Sequence, residues 1–584
     1  MEYPTLNVIQ KSRQMSDAFL GYNHNLRIGD SEFYDMKNMT SDYYPVLAPR
    51  KKRGVYKSGI NANGIIAKDK LCYVDGTAFV IDNERIEMEL SDSPKDLISM
   101  GAYVIIMPDR KYINTVKKGD EYDYDDIDVV HETTGDVKFT LCTLTGDDYD
   151  LPEGSDTAPS SPSNGQLWLD TSSIPHTLKK YSDANDMWVS IATTYIKIIS
   201  TGIGKKFKQY DGVKLSGIEI EALKDLNGAH GLWGCKDDEI IITGILDEVA
   251  TQTATQGAIT VSRKMPVMDF IVESNNRLWG CRYGANEDGD IVNEIYACKL
   301  GDFKNWSCFM NLSTDSYRVS CGTDGAFTGA ITHMGFPLFF KENCVHKVYG
   351  DYPANFRVQD TACRGVQKGS HKSLAIVNET VFYKSGNAVC AYDGSLPVEM
   401  STALGEIHYS DAVGGALGNK YYIDMKTEDG TYHLFVYDTA KGMWHKQDNL
   451  HADCFCAYMN EMYAIDHATK HIVTMLGSRE KDNKPVPWMV ETGLMGMSLP
   501  DMKYISRLLM RMSLEVGARV EVSIQYDSIG DWEQVCEMTA TSLRSFSVPV
   551  RLRRCDHFRI RIEGEGEGRI YSITKTIEQG SDIS

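Results

Sequence analysis

The stretch GFPLFFKENCVHKVYGDYPANF, residues 335–356, decides how the chain is read. Leu338, Phe339 and Phe340 form one apolar run, the run from Cys344 to Tyr349 forms a second, and Lys341-Glu342-Asn343 between them supplies a tight polar turn. Two short runs joined by so few residues predict an antiparallel hairpin, because only adjacent strands can be linked that closely. Leu338 to Phe340 read as the inner strand of a sheet, Cys344 to Tyr349 as the returning strand, and Gly350 to Pro353 as the exit.

Working outward, the same texture recurs: HGLWGC at His230, NRLWGC at Asn276, FPLFFK at Phe336, ETVFYK at Glu379, NKYYID at Asn419 and NEMYAI at Asn460. The starts are 46, 60, 43, 40 and 41 residues apart. A period near 40 to 50 residues with several strands per unit predicts the blades of a β-propeller. IYACKLGDFKNW, ending at Trp306, and LFVYDTAKGMW, ending at Trp444, place a Trp at similar points of two units, where a large ring can fill the space between sheets. Two weaker units stand at DKLCYVDG (Asp69) and AYVIIMPDRKYIN (Ala102), so the expected fold class is all-β, a seven- or eight-bladed propeller.

The flanks differ. Residues 1–55 are aromatic-rich without periodicity and read as an extended arm; residues 56–116 hold the first blades. Residues 117–205 read as an inserted β-rich domain, with an acidic opening, a Pro- and Ser-rich stretch and a compact run bracketed by Trp168 and Trp188. Residues 206–484 carry the remaining blades. In residues 485–584 the repeat gives way to alternation at Leu508, Met510, Met512, Leu514 and Val516, at Val520, Val522, Ile524 and Tyr526, and at Phe558, Ile560 and Ile562, which predicts a C-terminal antiparallel β-sandwich.

Composition narrows the function classes. Sixty-one Lys and Arg against 81 Asp and Glu give a net charge of −20, the wrong sign for a protein that wraps nucleic acid. The 14 cysteines form no CxxC pair, as expected of reduced thiols in a protein assembled in cytosol. The N-terminus has no signal-peptide pattern, and no apolar run is long enough to span a bilayer, so the sequons at Asn38, Asn311 and Asn378 are read as incidental.

No phosphate-cradling, zinc-hydrolase or serine-nucleophile motif occurs, so no catalytic residue is assigned and no cofactor is expected, while the two convergent carboxylates that a propeller glycosidase needs are neither exhibited nor excluded by a sequence with 81 acidic residues. GEGEG, residues 564–568, reads as a turn between strands. Asp123, Asp125 and Asp128 lack the glycine of a calcium loop, and NEDGD, residues 286–290, reads as a hairpin turn. His451, near Asp453 and Cys454, is the nearest approach to a metal constellation; it reads as a structural histidine, because zinc needs several such groups converging, and no metal is assigned. The densest basic cluster, Arg50-Lys51-Lys52-Arg53, reads either as a solvated turn or as a contact with an acidic partner or DNA phosphates.

These residues carry a resemblance. FLGYNHNLRIGDSEFYDMKNMTSDYYPVLAPRKKRG, with its GxN element, acidic turn, D-M-x-N step and Pro-x-Leu…Arg close, resembles the opening of tail proteins of tailed bacteriophages. RGVQKGSHKSLAIVNETVFYKSGNAVCAYDGSLPVEMS looks like the blades of tail stabilisation or nozzle proteins of short-tailed phages, and LRRCDHFRIRIEGEGEGRIYSI is similar to the sandwich-like end of such virion proteins. The likeness covers residues 1–115 and 205–580 in outline; the segment 117–205 looks more like small β-modules that decorate tail and fibre proteins.

The resemblance implies a non-enzymatic virion protein assembled in the host bacterial cytoplasm: a homo-hexameric ring below the portal and adaptor rings, lining the tail channel, retaining the genome and passing DNA without sequence-specific contact, with tail fibres docked outside. An acidic lumen suits that role, since it lets DNA slide. Phe19, Tyr22, Phe33, Tyr43 and Tyr44 on the arm, with Arg50, Lys51, Lys52 and Arg53, are then candidate interface residues, the aromatics packing either on a neighbour or on the arm's own propeller. The alternative is a glycan-binding or glycan-cleaving receptor-recognition propeller of the tail, meeting the host surface, with Trp168 and Trp188 available to stack on sugar rings. A soluble intracellular scaffold propeller is the third reading.

Overall fold

The computed structural model describes residues 11–478, 480–481, 484–499, 502–539 and 542–579. The first ten residues of the expected arm lie outside that set. The elements are nearly all strands, with four short 3-10 turns, and no helix among the described residues is long and apolar enough to cross a membrane.

Seven sheets form the blades, six of four strands and the seventh of five, with Glu480–Lys481 at its outer edge. Blade 1 runs from Ala62–Ala67 to Glu84–Glu87, blade 2 from Asp96–Met100 to Tyr124–Asp126, blade 3 from Phe270–Ser274 to Tyr317–Ser320 and blade 4 from Phe327–His333 to Arg357–Ala362. Blade 5 runs from Ala375–Val377 to Val398–Glu399 and blade 6 from Tyr409–Leu417 to Met443–Lys446. Blade 7 takes Ala452–Tyr458, Glu461–Asp466 and Ile472–Thr474 from late in the chain and its fourth strand, Gly54–Lys57, from the beginning. The first strand of each blade lies innermost, and the inner strands of blades 7 and 1 meet, so the ring is closed by the two chain ends. Closure of this kind leaves only short edges at the seam.

The stretch 335–356 is a hairpin as its pattern requires, Phe336–Lys341 pairing with Cys344–Tyr349. It occupies the second and third positions of blade 4, however, because Phe327–His333 precedes it on the inside. Leu338 and Phe340 are buried against Val381, Tyr383 and Cys390 of blade 5, whereas Phe339 faces Trp279, Cys281 and Ile295 of blade 3. Alternation along a strand therefore supplies both neighbours, which is why the run is apolar throughout rather than every second residue. Trp306 lies between blades 2 and 3, packed with Tyr112 and Tyr296.

Two boundaries differ from the sequence reading. The inserted domain begins at Val129–Glu132 and ends at Thr260–Arg263, not at 117 and 205. Its four- and five-stranded sheets enclose a separate core of Val137, Phe139, Leu141, Ile196, Ile198, Ile240 and Val261, and a three-stranded sheet, Leu167–Asp170, Thr177–Ser182 and Met187–Ser190, stands beside them. HGLWGC at His230 belongs to this domain, since Gly228–Gly231 and Gly234–Lys236 pair there, so it is not a blade. The short apolar strand after a turn is common to both folds, and period alone does not separate them. Conversely, the acidic run after residue 117 supplies the last strand of blade 2.

The C-terminal sandwich is as expected, with one correction. Its sheets are Lys11–Ser16, Gly568–Gln579, Lys503–Leu514 and Arg544–Val548, and Phe33–Lys37, Pro487–Thr492, Phe558–Glu565, Arg519–Tyr526 and Glu533–Met538. The supposed arm thus contributes one edge strand to each sheet. Leu508, Met510, Met512 and Leu514 are buried as the alternation requires, while Val516 stands exposed in the turn beyond.

Candidate functional site

The inner strands converge on a pocket at the propeller axis, with a volume of about 600 Å³. Met107, Met268, Phe270 and Leu374 give it an apolar wall, and Asp96, Asp269 and His371 give it polar edges. Asp269 is tied down: Arg282 Nη1 donates to Oδ1 at 2.6 Å and the Tyr283 amide donates to Oδ2 at 2.8 Å. Lys95, buried beside the pocket, pairs with Asp109 at 2.7 Å and donates to Ser91 and Ser93. Burial depresses the His371 pKa and nearby Lys372 adds to the effect, while Asp96 opposes it. Asp96 itself is exposed at the mouth. The pocket therefore offers one open carboxylate, a neutral imidazole and an apolar face, a combination suited to hydrogen-bonding and stacking a small polar ligand.

A larger groove of about 1000 Å³ crosses the inserted domain, where Leu151, Pro152, Ile220 and Leu246 form the floor and Glu153 and Asp247 stand at the rim. His176 Nδ1 meets Asp247 at 2.7 Å across it. The two tryptophans lie elsewhere, on the three-stranded sheet. Trp168 is buried, donates its indole N–H to Ser155 and carries Lys179 4.7 Å above its ring. Trp188 is half-exposed and packs edge-on against Trp168 and Tyr181, at 5.5 and 5.3 Å between centroids. Of the pair, only Trp188 keeps a face for a ligand.

The opening signature folds into a clamp between sandwich and blade 6. Gly21, at φ +85°, brings the backbone so near blade 6 that a Cβ there would stand 2.4 Å from the Trp444 carbonyl oxygen. The Tyr22 amide donates to that same oxygen at 2.7 Å. Asn23 donates to Glu32, whose other oxygen receives the Gly29 amide, closing the acidic turn. Asp35 meets Lys446 of blade 6 at 3.2 Å; Asn38 donates to the Pro487 carbonyl and accepts from Arg50; the Leu47 amide pairs with Ile570. Arg50 and Arg53 both reach Asp448, at 3.1 and 2.7 Å.

Phe19, Tyr22 and Phe33 are accordingly in the chain's own core, each 4% exposed or less, because the arm is part of the sandwich. They are not surface for a neighbour. Tyr43, under the Arg569 guanidinium, and Tyr44, 39% exposed, remain at the surface. Of the basic cluster, Lys51 is exposed and Lys52 is half-buried. Asp128 accepts from Arg110 and from the Met265 amide, so it acts as a strut between blade 2 and the start of blade 3, and Asn286 caps the NEDGD hairpin turn. All fourteen cysteines are free thiols. His451 meets Asp453 and, unforeseen, His467, whereas Cys454 packs into the apolar cluster between blades 7 and 1.

No family model matches the chain, and no curated protein matches it. Among solved structures it is similar to an exo-β-1,3-galactanase from Phanerochaete chrysosporium, at 8% identity over 52% of this chain and 94% of that one, with a TM-score of 0.20. It is also similar to an engineered glycoside hydrolase with endo-xylanase and exo-arabinofuranosidase activity (9%, 54% and 99%, 0.19) and to Trypanosoma rangeli sialidase (7%, 82% and 90%, 0.19). These similar structures are glycan-cleaving enzymes, so the expectation that the chain is not an enzyme is withdrawn. At this level of similarity they assign it no substrate.

Proposed function

We propose that the chain is a tail component of a tailed bacteriophage, a ring-forming propeller of the stabilisation or nozzle type that lines the channel through which DNA leaves. The observation that carries this reading is the clamp. Of the residues on which the resemblance rests, Gly21, Tyr22, Asp35, Asn38 and Arg50 tie the sandwich to blade 6 and the segment that follows it, while Asn23 and Glu32 hold the acidic turn and Leu47 pairs within the sandwich. A signature spent largely on one inter-domain joint describes an architecture, and a propeller locked to a sandwich is a rigid wedge of the kind a closed ring is built from. Portal or adaptor proteins above, fibres outside and DNA passing an acidic lumen are the partners of this proposal, and the virion tail is its location. Native mass spectrometry tests it: the 65.4 kDa chain is expected as a closed homo-oligomer, six copies on this reading, and a monomer at all concentrations contradicts it.

A second reading, glycan recognition at the host surface, is favoured by Trp188 with Tyr181 beside it, an amphipathic aromatic platform on an inserted domain. Binding on a glycan array that Trp188→Ala abolishes supports it; an array signal unchanged by that substitution removes it.

A further inference from the structure

We propose that His451, Asp453 and His467 form a binding site for a divalent transition-metal ion of the zinc class. One donor atom from each residue lies within 4.8 Å of the others, and they are the one such group of His, Cys, Asp or Glu among the described residues. The three come from different places: His451 and Asp453 flank the first residue of blade 7's inner strand, and His467 follows the second strand, which ends beside that start.

The backbone around them is held. The His467 amide donates to the His451 carbonyl at 2.9 Å, and Asp466 caps the following turn by accepting from Thr469 at 2.8 Å and 2.7 Å. Tyr432 stacks on the His451 ring at 3.6 Å and sets its orientation. His467 Nδ1 already contacts Asp453 Oδ1 at 2.6 Å, and its ring lies 4.0 Å from that of His451.

Donors around a tetrahedral zinc at about 2.1 Å stand roughly 3.4 Å apart, so a shift of about 1 Å, in side chains that are exposed or half-buried, brings the three to bonding distance. Two imidazole nitrogens and one carboxylate suit zinc, cobalt or nickel rather than calcium or magnesium, and three protein ligands leave a position for water. Binding replaces the His467–Asp453 contact with two bonds to the cation. Lys470, 2.5 Å from Asp453 Oδ2, competes for the same carboxylate.

That competitor makes the proposal testable in both directions. The full chain, stripped with a chelator, is titrated with Zn²⁺ by calorimetry and with Co²⁺ by visible absorption, with thermal melting as the check on folding. One equivalent is expected to bind; His451→Ala and His467→Ala each weaken it at least about tenfold, and Lys470→Ala tightens it several-fold. Absence of stoichiometric binding overturns the proposal. So does binding that survives both histidine substitutions, which places the metal on the thiols or elsewhere.

Discussion

Asp424, on the second strand of blade 6, is fully buried; its Oδ2 accepts from the Ala452 amide at 3.0 Å and its Oδ1 has no hydrogen-bond partner. Burial, with nearby Asp448 adding to it, pushes its carboxyl up to about 7 from an ordinary 3.8, against a smaller pull from Arg53. A carboxyl that holds its proton more tightly folded than unfolded contributes stability that is fully present below the unfolded value and is lost as pH rises through about 7. At about 1.4 kcal/mol per unit the loss is on the order of 4 kcal/mol. Asp424→Asn is therefore expected to flatten the stability profile between pH 4 and 7 and to leave the protein more stable than the parent at pH 8, by denaturant unfolding at each pH; a parent profile flat over that range contradicts the assignment. Nothing in the sequence singles this residue out among 81 acids, because its character comes from what covers it. Gly21 is different: its place in the GxN element is legible, and only its reason, a carbonyl where a Cβ would go, lies in the fold.

At the scale of elements, residues 11–57 are two edge strands of the sandwich, a clamp and the closing strand of blade 7. Their lack of periodicity in the sequence follows from this division, since no segment stays in one environment for more than about six residues. Asp448 binds two arginines of that segment, and removing the acid leaves two partly buried cations facing each other. Asp448→Ala is expected to cost about 3 kcal/mol, read as a lowered urea midpoint; an unmoved midpoint means the clamp does not depend on this triad. The inserted domain was recognisable from its composition but misjudged in extent, since its later strands share the apolar texture of the blades. Having its own core, residues 129–263 expressed alone are expected to melt in a single cooperative transition. It is fastened to blade 3 by Asp211, which accepts from Asn305 at 2.9 Å and from buried Arg263 at 2.5 Å. Gradual, non-cooperative melting of the isolated domain shows instead that it needs that attachment.

For the whole molecule, the propeller was legible because each blade repeats a turn and an aromatic strand, and seven rather than eight blades follows once the His230 unit is assigned to the insertion. The closing of the ring by Gly54–Lys57 was not legible, since strand partners separated by more than 400 residues leave no local trace. The axial pocket was equally hidden: Asp96, Asp269 and His371 come from well-separated parts of the chain and meet because inner strands converge. On the proposal above, this propeller, locked to its sandwich, is one wedge of a tail ring. Class averages of the purified chain in negative stain are the decisive measurement: closed rings with an open central channel are expected, and a field of single particles at assembly concentrations contradicts the ring.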